Sequence, residues 1–203
     1  METFDGGADQ YRGGDGPLFI HRCKAEGPLY HAFLRAAEDY GLAHTPDHNG
    51  QRQEGVHVAQ VTIRDGVRES TSQAYLKPIA GRANLTVATN CFVQKVHSSG
   101  NRITGLSYSQ NGVEHRVEAA SEVILCAGAI GSPHLLMLSG IGDADHLRQH
   151  SIKLVQHLPG VGRDLQDHIG VPIQYTTKKS VSPTKQLSPV GRIFTGARWV
   201  LTK

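Results

Sequence analysis

A set of small residues interrupts the apolar sequence VILCAGAIGSPHLLMLSGIG, Val123 to Gly142. Ala127, Gly128 and Ala129 have no side-chain atom beyond Cβ. Ser132-Pro133 follows, a residue able to cap a helix and one whose missing N–H is harmless in a first turn. Strand, tight turn and helix in that order would bring bare backbone and helix N-terminal N–H groups together, which suits a large flat or phosphorylated ligand. The same small residues would also serve tight packing of a helix on a sheet, and spacing alone leaves both readings open.

Other residues that could do chemistry carry less. His44 and His48 have the i, i+4 spacing of a helical metal pair, but Pro46 lies between them and Asn49-Gly50 follows, so no helix presents them together and no metal site is expected. Asp164, Asp167 and His168 resemble an acid–base cluster, for which solvated or backbone-capping roles are expected ahead of catalysis. His21, His97, His115, His134 and His157 read as surface or packing histidines. Ser139 stands in LMLSGIG, not in G-x-S-x-G, which argues against a hydrolase.

The elements that must position these residues alternate along the chain. GPLYHAFLRAAEDYG, from Gly27, puts Leu29, Phe33, Ala36, Ala37 and Tyr40 on one helical face, with Pro28 in the first turn and Gly41 as the stop. His44–Gly50 is a turn-rich loop, Val56–Ile63 alternates like a half-buried strand, and Ser70 or Thr71 caps a short helix that Pro78 closes. Three strands follow, Asn84–Ser98, Arg102–Ser109 and Val113–Ala120, joined by SSGN and QNG as hairpin turns. Glu122–Gly128 is apolar at four successive positions, as a central strand of a parallel sheet would be. Gly140 stops the helix begun at Ser132. Val171–Thr177 reads as a further strand, TKKSVSPTKQLSPVG as a basic, solvated Ser/Pro-rich loop, and RIFTGARWVLTK as the start of a helix.

Composition fits an ordinary globular chain. The 203 residues are 38% hydrophobic and 19% charged with net charge +3, enough for one domain or two small ones. Basic residues are not clustered as a nucleic-acid surface requires. Cys23, Cys91 and Cys126 form no C-x-x-C pair and read as reduced core thiols of a cytoplasmic protein. The sequence has no apolar stretch of the roughly 18 to 20 residues that spans a bilayer, and membrane association is not indicated.

GAIGSPHLLMLSGIG resembles the second signature of the glucose-methanol-choline (GMC) oxidoreductases, FAD enzymes that oxidise alcohols, and LPGVGRDLQDH (Leu158–His168) resembles the segment after it. YRGGDGPL, DHNGQRQEG, RESTSQAYL and NLTVATNCFVQKV are similar to further family segments, nearest the choline dehydrogenase branch. The resemblance implies an α/β (overall α+β) fold: a partial FAD-binding, Rossmann-like domain with a β-meander at residues 84–142, part of an antiparallel-sheet substrate domain at 17–78, and a return towards the latter at 143–203. It places the backbone of Val93 at the adenine end of FAD and Ala127, Gly128 and Ala129 near the flavin, with a small, choline-like alcohol as substrate. The G-x-G-x-x-G unit that opens family members has no counterpart in this sequence, and the family's catalytic histidine would lie past Lys203. The expectation is thus the middle third of an enzyme, inactive alone, with a non-catalytic interaction module completed by a second chain as the alternative.

Overall fold

The computed structural model describes residues 1–24, 26–176, 178, 181 and 184–202. The chain divides into two units, Met1–Leu85 with Gln174–Lys203, and Thr86–Ile173.

The first unit is built on strands β1 (Glu2–Phe4), β2 (Leu18–Arg22) and β3 (Gln60–Val61). Its sheet is mixed: β1 runs parallel to β2, and β3 pairs antiparallel with β2 through His21–Val61. Helix α1 (Pro28–Asp39) carries Pro28 in its first turn and Gly41 after its last, as its sequence predicts. Its apolar stripe is uncovered, however, with Leu29, Phe33 and Tyr40 all exposed. The Val56–Ile63 strand is cut into pieces. Val56 bridges His44, and Ile63 belongs to a short hairpin of β4 (Ile63–Arg64) and β5 (Val67–Arg68). Ser70 accepts the Gln73 N–H as a cap, but the turn it opens is a wide π-type turn (Ser72–Leu76) running into a 3₁₀ turn (Lys77–Ile79) that contains Pro78. Pro78 does not close the helix, because a first-turn position needs no N–H.

Charge does much of the organising in this unit. The Arg12 guanidinium lies 4.0 Å over the Phe4 ring, 3.1 Å from a Glu2 oxygen and 3.5 Å from an Asp47 oxygen, with its side chain only 4% exposed. Glu69 accepts the Phe19 N–H and the Arg64 Nε–H, joining β2 to β4. Phe4, Val56 and Ala74 are the buried apolar residues here. Helices α4 (Thr184–Leu187) and α5 (Pro189–Thr202) complete the unit. The helix expected from Arg192 therefore starts earlier, and α4 lies within the expected loop, of which residues 177, 179, 180, 182 and 183 fall outside the described residues.

The second unit is the β-meander. Strands β6 (Cys91–Ser99), β7 (Arg102–Gln110) and β8 (Val113–Glu118) pair antiparallel in order. Both hairpins fall at the turns the sequence marks. Asn111 and Gly112 adopt φ of 52° and 81° between Gln110 and Val113, the two-residue geometry for which Asn-Gly is suited. The first strand starts at Cys91, seven residues later than its pattern suggests. Helix α2 (Gly128–Leu138) lies against β6, and β9 (Ile141–Gly142), α3 (Ala144–Gln149) and β10 (Gln156–His157) follow, with β9 and β10 parallel. Val96, Leu135, Ile141 and Leu147 form the buried apolar cluster.

Two expected strands are absent. Residues 122–126 and 171–176 have no strand partner, and Ile124 is 74% exposed. A segment apolar on both faces is a strand only when strands flank it, and none among the described residues does so here; Thr177 lies outside those residues. The cysteines are free, as expected of reduced thiols, but are not core residues: Cys126 is exposed and the other two are partly so.

Candidate functional site

Helix α2 starts at Gly128, four residues before Ser132. Both the start and the cap therefore differ from the sequence expectation: Ala127, not Ser132, is the N-cap residue. Ser132 Oγ accepts the Ala127 N–H at 3.1 Å from the second turn, and Gly128 at φ 81° lets the chain enter the helix early. Pro133 consequently lies inside the helix, where it has no N–H to give the Ala129 carbonyl.

No side chain caps the helix N-terminus, so its first N–H groups face outward and favour anionic or carbonyl oxygen. Ala127, Gly128 and Ala129 are exposed. A Cβ added to Gly128 would meet no atom within 4 Å. The small residues therefore do not serve close helix-on-sheet packing; they leave backbone open.

Beside them is a cleft of about 610 Å³, lined among others by Ala129, Pro133, His134, Met137, Arg163 and Asp164. Its far wall is the loop Gly162–Gln166, which belongs to the LPGVGRDLQDH segment. Arg163 is held by its Nε–H to the Pro159 carbonyl at 2.8 Å and by an ion pair with Asp143 at 3.4 Å. Asp143 in turn caps α3, accepting the N–H groups of Asp145 and His146. Those bonds, His146's first, with the Arg163 charge, hold its carboxyl below the ordinary value of 3.8. Asp164 takes φ 55° and lines the cleft.

The structure thus gathers Ala129 with residues to which sequence reasoning gave no ligand role. The signal for Gly162–Gln166 was its resemblance to the family; for His134 and Met137 it was helical spacing from Ala129 and Ile130. Val93 is elsewhere, on β6 opposite Tyr108 and next to a bulge, and does not line this cleft. The remaining candidates have plain roles. Ser139 is buried, and its Oγ bonds the backbone of Leu135 and Val96. Asp167 accepts the N–H of His168. His48 stacks on His57 at 3.7 Å, His21 pairs with Asp5, His97 bonds Ser107, His115 stacks on Tyr108, and His157 accepts the Ala144 N–H.

Comparison with known proteins gives a consistent result. The family model described as GMC oxidoreductase matches residues 4–170. The chain is 46% identical over 95% of its length to an oxygen-dependent choline dehydrogenase of Staphylococcus xylosus, covering 34% of that protein, and 43% identical over 96% of its length to the mitochondrial choline dehydrogenase of Mus musculus, covering 33%. It spans about a third of the length of the curated relatives it matches. Among solved structures, pyridoxine 4-oxidase from Mesorbium loti superposes on 78% of this chain and 31% of its own with a TM-score of 0.74 at 35% identity. An FAD-dependent oxidoreductase from Chaetomium thermophilum superposes on 78% of this chain and 30% of its own with a TM-score of 0.72 at 26% identity.

Proposed function

The chain belongs to the GMC oxidoreductase family, and on that premise we propose that it carries part of the FAD-contacting surface of an enzyme oxidising a small, choline-type alcohol. The observation that carries this reading is the open, uncapped start of α2 at Ala127–Ala129 beside a cleft large enough for part of a flavin nucleotide. In it, Ala127, Gly128 and Ala129 meet the flavin through backbone, and Val93 meets the adenine end through its own backbone. The second unit is then the FAD-binding portion and the first unit part of a substrate domain.

When bound, FAD supplies the hydride acceptor for a C–H next to a hydroxyl. The residues here contribute orientation and exclusion of water. A base of suitable pKa is also required, and this reading assigns that role to none of the residues described above. A mitochondrial relative shows that the family is not confined to one compartment; the three free thiols favour a reducing setting such as the cytoplasm.

A second reading, an interaction module completed by another polypeptide, is favoured by the exposed Ile124 in the apolar segment 122–126. The two readings separate by titrating FAD with the chain and following flavin fluorescence. The enzyme reading expects saturable quenching that Gly128→Val and Ala129→Phe weaken at least about tenfold, since bulk at these positions fills the approach to the backbone. Absence of quenching from folded protein supports the module.

A further inference from the structure

The geometry points to a metal site outside the candidate flavin cleft: His146 and His150, at the C-terminal turn of α3, form a two-imidazole chelate for a divalent transition-metal ion. They stand i, i+4 on a helix, the spacing at which two histidines can share one ion. At 100° per residue they lie about 40° apart around the axis, and both are exposed. Their ring centres are 4.8 Å apart with planes at 68°. An imidazole nitrogen binds such an ion at about 2.0–2.1 Å, which puts each ring centre about 3.2 Å from it. Two ring centres 4.8 Å apart then subtend about 100° at the ion, between the right angle of square-planar coordination and the wider tetrahedral angle.

The helix holds this pair in place. Asp143 accepts the His146 N–H at 3.0 Å, and Leu147, between the two histidines, is 1% exposed, which fixes α3 to the core of the second unit. Arg148, the nearest cation in sequence, lies about 160° around the axis from both histidines and is bound by Asp145 at 2.7 Å. The other close histidine pair lacks the geometry. His48 and His57 stack at 3.7 Å with planes only 13° apart, and lone pairs confined to two near-parallel ring planes have no nearby point at which to meet. Among the described residues no three His, Cys, Asp or Glu side chains come together to hold an ion, so water completes the coordination at His146 and His150. Imidazole suits copper(II), nickel(II) and zinc(II), with affinity rising from manganese(II) through nickel(II) to copper(II).

The test is equilibrium dialysis of the full chain against nickel(II), an ion that the free thiols do not reduce. The sequence has 12 histidines, so the chelate must stand out from single imidazoles. One site is expected to bind nickel(II) at least about tenfold more tightly than the rest, and His146→Ala and His150→Ala each weaken it at least about tenfold. Alanine is the best helix former and both positions are exposed, so α3 and the far-UV spectrum are kept. His31→Ala, on α1 in the first unit, leaves the site unchanged. Nickel(II) also slows modification of His146 and His150 by diethyl pyrocarbonate several-fold, read by mass spectrometry, while manganese(II) at the same concentration does not. A tight site lost in only one of the two variants, protection of only one of the two histidines, or no binding above that of the His146→Ala, His150→Ala double variant would each overturn the proposal.

Discussion

Ser139 Oγ accepts the backbone N–H of Val96 at 2.8 Å and donates to the Leu135 carbonyl at 2.6 Å, all in the interior of the second unit. One hydroxyl therefore fixes the C-terminus of the helix that begins at the candidate flavin site onto the first strand of the meander, 43 residues away in sequence. Ser139→Ala leaves the buried Val96 N–H without a partner, at a cost of about 1–3 kcal/mol. The expected result is at least about a fivefold loss of hydrogen-exchange protection at the Val96 amide, with smaller changes in the first unit.

Gly105 sits in β7 where an added Cβ would run into the Val117 carbonyl of β8. Gly105→Ala must open that pairing, and overpacking of this kind costs about 1–3 kcal/mol. Amide exchange should quicken along Val113–Glu118 while the β6–β7 hairpin keeps its protection. Equal loss in both hairpins would contradict this placement of the strain.

The meander was legible because its turn chemistry is local: Asn111-Gly112 dictates a two-residue hairpin whatever surrounds it. Helix α1 was legible from its spacing and from Pro28 and Gly41. What failed depended on partners. Residues 122–126 have the composition of a buried strand, but a strand is a property of at least two segments, and its neighbours are not among the described residues. The Ser139–Val96 bond and the Arg12–Glu2–Asp47 cluster join distant positions by polar groups that leave no periodicity behind. At the site, the small residues were readable, but the serine cap was not, because Ser132 falls inside a helix that starts four residues earlier; the far wall at Gly162–Gln166 showed only in its resemblance to the family, since nothing in its spacing points back to α2.

The carboxyl pKa values of Asp5, Asp47 and Asp143 are all lowered on folding and make stability acid-sensitive. At Asp47, burial pulls the pKa up, but the Gln60 side chain, the Asn49 N–H and the Arg12 charge outweigh it, and the net shift is down. Asp143 is also lowered, chiefly by the His146 N–H. A carboxyl lowered on folding binds fewer protons in the native state, so the stability it contributes is present above the ordinary value of 3.8 and lost as pH falls through its folded value. Melting temperature should fall on acidification below about pH 4. Asp143→Asn should flatten that fall while keeping the α3 cap, and Asp143→Ala should lose the cap at all pH values.

Cys126 is exposed and directly precedes Ala127. If the Ala127–Ala129 backbone holds the flavin, saturating FAD should slow alkylation of Cys126 several-fold and leave Cys23, in the first unit, unchanged. Mass spectrometry after timed iodoacetamide treatment reads both rates. Equal slowing at both cysteines would indicate general stabilisation and argue against contact.

On the flavoenzyme reading, this chain presents a flavin-binding surface at the start of α2. The chain should be mixed with FAD and passed through a desalting column, and the visible spectrum of the protein fraction recorded. A bound flavin absorption band is expected, and Gly128→Val should remove it. A folded protein that emerges colourless would contradict this reading and leave the family relationship as one of ancestry without cofactor binding by this chain.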